Sequence, residues 1–205
     1  MLARGRGLAV LDLGFGAGHF AERIRPACRY LAGLELDPGA AAEGARFFDD
    51  AVTGDIFEGI SGPWKEPFDV VVAGDVLEHL PEPERALALF RPLLKPDGLL
   101  LVSLPNVANV TVRLGLLVGR FPATDRGILD RTHLRFYTRR TGRELLARSG
   151  FRVVRETPTS MPVELALPAL GRPPLAGPVR AATRLLASAW PGMFAYQFVY
   201  EARSA

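Results

Sequence analysis

Cysteine is nearly absent: Cys28 is the only one in 205 residues. A single thiol excludes an internal disulfide and a multi-cysteine metal site, and a reducing cytoplasm is its simplest setting. Histidine is scarce too, with only His19, His79 and His133 able to move protons near neutral pH. No apolar run is long and charge-free enough to span a bilayer. Arg4 and Arg6 lead straight into an apolar segment at Leu8, which is not the layout of a signal peptide. Aromatic-rich basic stripes and a separate RNA-binding module are also missing, which argues against nucleic acid as the partner.

The composition that remains, 48% hydrophobic and 23% charged, fits an ordinary globular protein with one sizeable α/β core and a small appendage. The net charge of +3 hides an asymmetry. Residues 1–102 carry 10 Lys and Arg against 16 Asp and Glu, a balance of −6; residues 103–205 carry 15 against 6, a balance of +9. The basic half suits an anionic substrate or surface, although arginines that merely solvate helix faces would look the same.

The densest signal is Leu8-Ala9-Val10-Leu11-Asp12-Leu13-Gly14-Phe15-Gly16-Ala17-Gly18. Its apolar run does not alternate, as expected of a parallel strand covered on both faces. Gly14, Gly16 and Gly18 permit tight left-handed turns and close approach of a ligand, just before a helix whose first N–H groups lack partners. A dinucleotide site needs G-x-G-x-x-G, but here the third glycine comes one residue early and His19 takes its place. Asp12 would also repel a pyrophosphate, whereas it can hold a cationic ammonium directly or through water. The pattern suits a ligand with an amino acid at one end and a nucleoside at the other. Glu35 lies 21 residues beyond Gly14, at the end of a second apolar run from Tyr30 to Leu36, where a carboxylate accepts from ribose hydroxyls.

Asp12-x-Gly14-x-Gly16-x-Gly18 resembles motif I of the class I S-adenosylmethionine-dependent methyltransferases. "FDVVVAGDVLEHLPEP" followed by "LLKPDGLLLVSLPN" is similar to the type 11/12 methyltransferase domain, and the likeness runs from about Leu8 to Phe151. It implies an α/β fold, Rossmann-like and doubly wound, with a mostly parallel seven-stranded sheet and an antiparallel last strand. It implies a single domain over 1–205, with a cofactor-binding half at 1–104 and a substrate-side half at 105–205 that holds an insert at about 156–190. S-adenosylmethionine is the implied cofactor, framed by Asp12, Gly14, Gly16, Gly18, His19, Glu35, Leu36, Asp55, Ile56 and Asp75. Members commonly place one or two helices before the first strand. Met1–Gly7 cannot supply them, which points to a cut chain or a more open pocket.

In order, the predicted strands are Leu8–Leu13, Tyr30–Leu36, Ala51–Phe57 with its exit, Phe68–Asp75, Leu99–Leu104, Phe151–Val154 and an edge strand at Phe194–Tyr200. Helices are expected from His19 to Pro26, from Pro38, from about Pro83 to Leu94, over Val107–Phe121, over Arg139–Ser149 with Thr138 as N-cap, and over Val179–Ala189. Lys95-Pro96-Asp97-Gly98 reads as a turn, and Pro158–Pro178 has no clear period.

For chemistry, His133 and His79 are the candidate general bases, both placed past strand ends where open α/β sheets bind ligands. Asp75, Glu78 and His79 fall at i, i+3 and i+4, and with His133 form a set able to hold a divalent ion. A helix cap with satisfied polar side chains is the plainer account, and no metal ligand is assigned. That set is similar to the one in small-RNA 2′-O-methyltransferases and ubiquinone-pathway O-methyltransferases, except for Asp at position 75. "GRFPATDRGILDRTHLRFYT" resembles methyltransferases encoded with bacterial polysaccharide and glycolipid genes. That likeness implies O-methylation of a small-molecule or glycan-type acceptor, with Arg113, Arg120, Arg126, Arg131 and Arg135 offering forks to phosphate or carboxylate. Contact with a membrane surface fits the same basic half. The rival readings are a metal-assisted RNA 2′-O-methyltransferase and a non-catalytic S-adenosylmethionine-binding module.

Overall fold

The structure, a computed structural model, describes residues 7–162, 174 and 176–205. Arg4, Arg6 and most of the proline-rich stretch therefore lie outside the described residues. Seven strands form one sheet: β1 (Leu8–Leu13), β2 (Cys28–Glu35), β3 (Asp50–Thr53), β4 (Phe68–Gly74), β5 (Leu94–Pro105), β6 (Phe151–Pro158) and β7 (Gln197–Ser204). Their spatial order is β3-β2-β1-β4-β5-β7-β6, with β7 antiparallel to both neighbours and every other pairing parallel. Helices α1 (His19–Ile24), α2 (Pro38–Gly44), α3 (Ile56–Gly59), α4 (Pro83–Phe90), α5 (Val110–Leu117), α6 (Arg139–Arg148), α7 (Ala176–Ala189) and α8 (Pro191–Phe194) complete the described elements.

Both faces of the sheet are covered, which is why its central strands carry apolar side chains on both sides. On β1, Ala9, Leu11 and Leu13 join one buried cluster with Ala86, Leu87 and Phe90 of α4 and Leu145 and Leu146 of α6. The intervening Val10 joins a second cluster with Ala21 of α1, Leu31 and Val72. Each such large side chain contributes about 1.5–3 kcal/mol by leaving water. Strand order reverses between β1 and β4, so the crevice beyond their carboxyl ends is the ligand-binding position of an open α/β sheet.

Several elements differ from expectation; the last strand runs over Gln197–Ser204 and the helix after β5 only over Val110–Leu117. The last strand is not an edge: β7 lies between β5 and β6, and β6 forms the edge. Its alternation reports one deeply buried face, with Phe198, Tyr200 and Ala202 inside, and carries no information about neighbours. Lys95–Gly98 is not a separate turn, because β5 begins at Leu94 and absorbs these residues at a register shift against β4. Pro92 stops the helix from Pro83, which ends at Phe90 and tightens into a 3-10 turn at Arg91–Leu93. The third strand ends at Thr53, since Asp55 turns the chain into α3. Helix α6 starts as expected, with Thr138 and Thr141 forming a reciprocal cap.

Candidate functional site

The glycine turn leaves β1 at the point where strand order reverses. Gly14, Gly16 and Gly18 have φ of 70°, 55° and 80°, so the backbone takes three left-handed steps that a side chain would strain. A Cβ at Gly18 would strike Phe47 and Gly44, whereas one at Gly16 would meet nothing within 4 Å. The turn is thus packed against α2 underneath and open above. Gly14 N–H donates to the Leu34 carbonyl (2.7 Å) and Gly16 N–H to Glu35 Oε2 (2.7 Å). Glu35 Oε1 accepts from Asp37 N–H (2.9 Å), so one carboxylate ties the turn to the start of α2. Each of its oxygens retains a second lone pair.

Asp12 is the anomaly. It sits in the centre of the sheet, opposite Gly33 and Val72, and is 4% exposed. Its Oδ2 is buried with no partner among the described residues. Burial, with the Glu35 charge adding to it, pushes its pKa up to about 7. Beyond β2, Leu36 is 65% exposed, an uncovered apolar side chain beside Glu35. Asp55 Oδ1 accepts from Phe57 N–H (2.7 Å) and caps α3, while Ile56 is buried behind it. His19 opens α1 and is exposed, with no hydrogen bond to the described residues.

A second cluster lies past β4. Asp75 has φ of 54°, a left-handed conformation that costs about 1–2 kcal/mol for a residue with a Cβ. Ser103 of β5 holds it there: its hydroxyl accepts from Asp75 N–H (2.8 Å) and donates to Asp75 Oδ1 (2.7 Å). The chain then makes a 3-10 turn at Leu77–His79. Leu134 N–H (2.8 Å) and Arg135 N–H (3.0 Å) donate to the Glu78 carbonyl, which docks the later polar loop onto this turn. As a result the His79 and His133 rings meet edge to face with centroids 4.8 Å apart.

Carbonyls accept only, and this fixes both tautomers. His133 Nδ1–H donates to the Ile128 carbonyl (3.2 Å), leaving Nε2 as a bare lone pair. His79 Nδ1–H faces the Thr132 carbonyl (3.2 Å), and Thr132 Oγ1–H donates in turn to Asp130 Oδ1 (2.6 Å). Burial and the neighbouring His79 hold the His133 pKa below its ordinary value, favouring the neutral ring. Glu78 is fully buried beneath, and both its carboxyl oxygens lack partners among the described residues. Burial and Asp75 raise its pKa to about 8.

The predicted residues therefore fall into two groups. Asp12 and Glu35 lie inside β1 and β2 near their carboxyl ends, the three glycines, Leu36, Asp55 and Ile56 come just past the ends of β1 to β3, and Asp75, His79 and His133 follow those of β4 and β5. Glu78, His79 and His133 bring one ligand atom each to within 4.8 Å of one another, while Asp75, held by Ser103, stands outside that group. Sequence reasoning missed Ser103, Asn106, Asn109 and Tyr196. Asn106 and Asn109 are buried and both donate to the Ala195 carbonyl at 2.9 Å, fixing the backbone just before Tyr196. Two asparagines three apart in an apolar run were the available signal.

Comparison with known proteins identifies the family and the fold. The family described as Methyltransferase domain matches residues 2–156. An uncharacterized methyltransferase of Mycobacteroides abscessus is 31% identical over 142 residues, covering 67% of this chain and 52% of that protein. A ubiquinone biosynthesis O-methyltransferase of Actinobacillus pleuropneumoniae is 32% identical over 121 residues, covering 55% and 50%. The chain spans about half the length of these curated relatives. Among solved structures, a SAM-dependent methyltransferase from Archaeoglobus fulgidus superposes with a TM-score of 0.66 at 19% identity over 97% of this chain and 86% of that one. Magnesium protoporphyrin IX methyltransferase from Synechocystis PCC 6803, solved with bound SAH, gives 0.62 at 20% identity over 97% and 75%. With its match extending over well more than half its length, the chain belongs to the methyltransferase-domain family and has the fold of class I S-adenosylmethionine-dependent methyltransferases.

Proposed function

We propose that the chain is an S-adenosylmethionine-dependent methyltransferase acting on an oxygen of a small-molecule or glycan-type acceptor. The observation that carries this reading is the buried, partnerless Asp12 oxygen beside a left-handed glycine turn at the sheet's switch point. An isolated carboxylate there is costly unless a cation meets it, and a ligand ammonium is such a cation. The surrounding residues fit the remainder of the cofactor. Glu35 keeps lone pairs for ribose hydroxyls, Leu36 offers an uncovered apolar surface to a purine, and Gly16 leaves room above the turn.

When bound, S-adenosylmethionine supplies an electrophilic methyl group on a sulfonium sulfur. This chain's residues position that group and its acceptor, and positioning is the larger share of such catalysis. His133 Nε2 would take the proton of the acceptor hydroxyl, while the Ile128 carbonyl holds the ring in the required tautomer. The ubiquinone biosynthesis O-methyltransferases among the relatives support an oxygen acceptor. Titration with S-adenosylmethionine and transfer of labelled methyl into fractionated cell extract test the reading. Saturable binding with label incorporation supports it; no binding overturns it.

One observation favours a second reading. Glu78, His79 and His133 converge closely enough to hold a divalent ion, with a carboxylate oxygen and one ring nitrogen of each imidazole as donors. Such an ion would lower the acceptor hydroxyl's pKa directly, as in metal-assisted RNA 2′-O-methylation. Transfer abolished by chelation and restored by added metal, together with protection of RNA by the protein, favours that reading over His133 as a base.

A further inference from the structure

A cavity of about 710 Å³ opens beside α5, on the acceptor side of the sheet. That volume is in the range of small-molecule sites. Its walls include Val112, Ile128, Leu129, Met161 and Tyr196, so most of the surface offers no hydrogen bond. Two links join it to the chemistry. Ile128 supplies both a wall and the carbonyl that orients His133. Tyr196 lines it too, and its pKa is raised by burial with the Asp75 charge adding to it.

The arginines of this region divide in an informative way. Arg113 donates to the Ala108 carbonyl, Arg131 pairs with Asp125, and Arg135 donates to the Pro81 carbonyl. Arg120 and Arg126 have no side-chain partner among the described residues, and both line the cavity. The cations spoken for by the protein itself point elsewhere; the uncommitted ones face the cavity.

The geometry points to an amphiphilic acceptor: an apolar ring or chain that fills this cavity and carries a phosphate or carboxylate for Arg120 and Arg126. A bare sugar fits poorly, because its hydroxyls would lose water against walls that return no hydrogen bonds. Guanidinium forks suit the oxygen geometry of phosphate and carboxylate. Leu116, Leu117, Val118 and Phe121 stand exposed at the end of α5, so an amphiphile drawn from a bilayer and one free in solution share this chemistry. The inference rests on the acceptor side assigned under the proposed function and narrows its substrate class.

The test uses the whole chain and three probes by calorimetry: n-decyl phosphate below its micelle concentration, decanol, and glucose 1-phosphate. We expect decyl phosphate to bind at least tenfold more tightly than either of the others. Leu129→Trp, which fills the cavity, should weaken it more than tenfold. Arg120→Gln combined with Arg126→Gln, which touches no packed side chain, should bring it to the level of decanol. S-adenosylhomocysteine affinity should stay within twofold in both variants. Glucose 1-phosphate binding as tightly as decyl phosphate overturns the inference, as does decyl phosphate binding that neither variant weakens. Failure of the unaltered protein to bind S-adenosylhomocysteine would instead overturn the methyltransferase reading. Sedimentation with phosphatidylglycerol vesicles separates the sources: pelleting that Leu117→Ser abolishes means a bilayer amphiphile, and a soluble protein that still binds decyl phosphate means a free one.

Discussion

The two halves of the molecule use charge in opposite ways. In the amino-terminal half, the acids at the carboxyl ends of β2 and β3 are spent on backbone: Glu35 on Gly16 and Asp37, and Asp55 on α3. Among the described residues Asp12 and Glu78 are left buried and unmatched, and of the two only Asp12 lies beside the glycine turn. In the carboxyl-terminal half the acids are few and are consumed by arginines, as where Arg139 (2.6 Å) and Arg143 (2.5 Å) close on Glu156. Among the described residues, Arg120, Arg126, Arg152, Arg184 and Arg203 pair with no side chain there, and of these Arg120 and Arg126 line the cavity beside α5. The complement of each half is thus written in its leftover charge. A cation is wanted over the glycine turn and an anion beside α5.

The largest effect is expected at the seam between the halves. His133→Ala should lower methyl transfer by about 10²–10⁴-fold while leaving S-adenosylhomocysteine affinity within twofold. Unchanged transfer in labelled-methyl assays would remove His133 from the chemistry.

Next in size is Asp12→Asn, which should weaken cofactor binding by roughly 100-fold, about 2.7 kcal/mol. The same change should stabilise the ligand-free protein, and the sign follows from the raised pKa. The folded state keeps the Asp12 proton up to about pH 7, whereas the unfolded chain releases it near the ordinary aspartate value of 3.8. Stability is therefore lost as pH climbs from about 4 to 7, by on the order of 4 kcal/mol in full. Urea titrations should find variant and parent alike at pH 4 and the variant more stable at pH 8.

Smaller effects sharpen the picture. Ser103→Ala removes both bonds that hold Asp75 in its left-handed conformation and should cost roughly 1–3 kcal/mol by denaturant unfolding. Asp55→Ala removes the α3 cap, for about 1 kcal/mol, and should weaken cofactor binding only a few-fold.

The cofactor half was largely legible in the sequence because its signals are local. Gly14, Gly16 and Gly18 announce a left-handed turn by residue type, and Asp12 and Glu35 are located by counting along two strands. The acceptor half was less so, because long-range contacts build it. Asn106 and Asn109 reach residues 89 and 86 positions away, and Ser103 clamps Asp75 across 28. The meeting of His79 with His133 was foreseen, yet the Glu78 carbonyl that enforces it was not, since a backbone acceptor carries no residue signature. The alternation of β7 was read correctly as a strand and wrongly as an edge, because period reports faces and says nothing of neighbours.

The most direct test of the cation site is calorimetric titration of S-adenosylhomocysteine at pH 6.5 in buffers of different ionisation enthalpy. If its ammonium meets Asp12, binding ionises that carboxyl, so the parent protein releases a proton and Asp12→Asn does not. Equal proton exchange and equal affinity in both proteins would contradict the account.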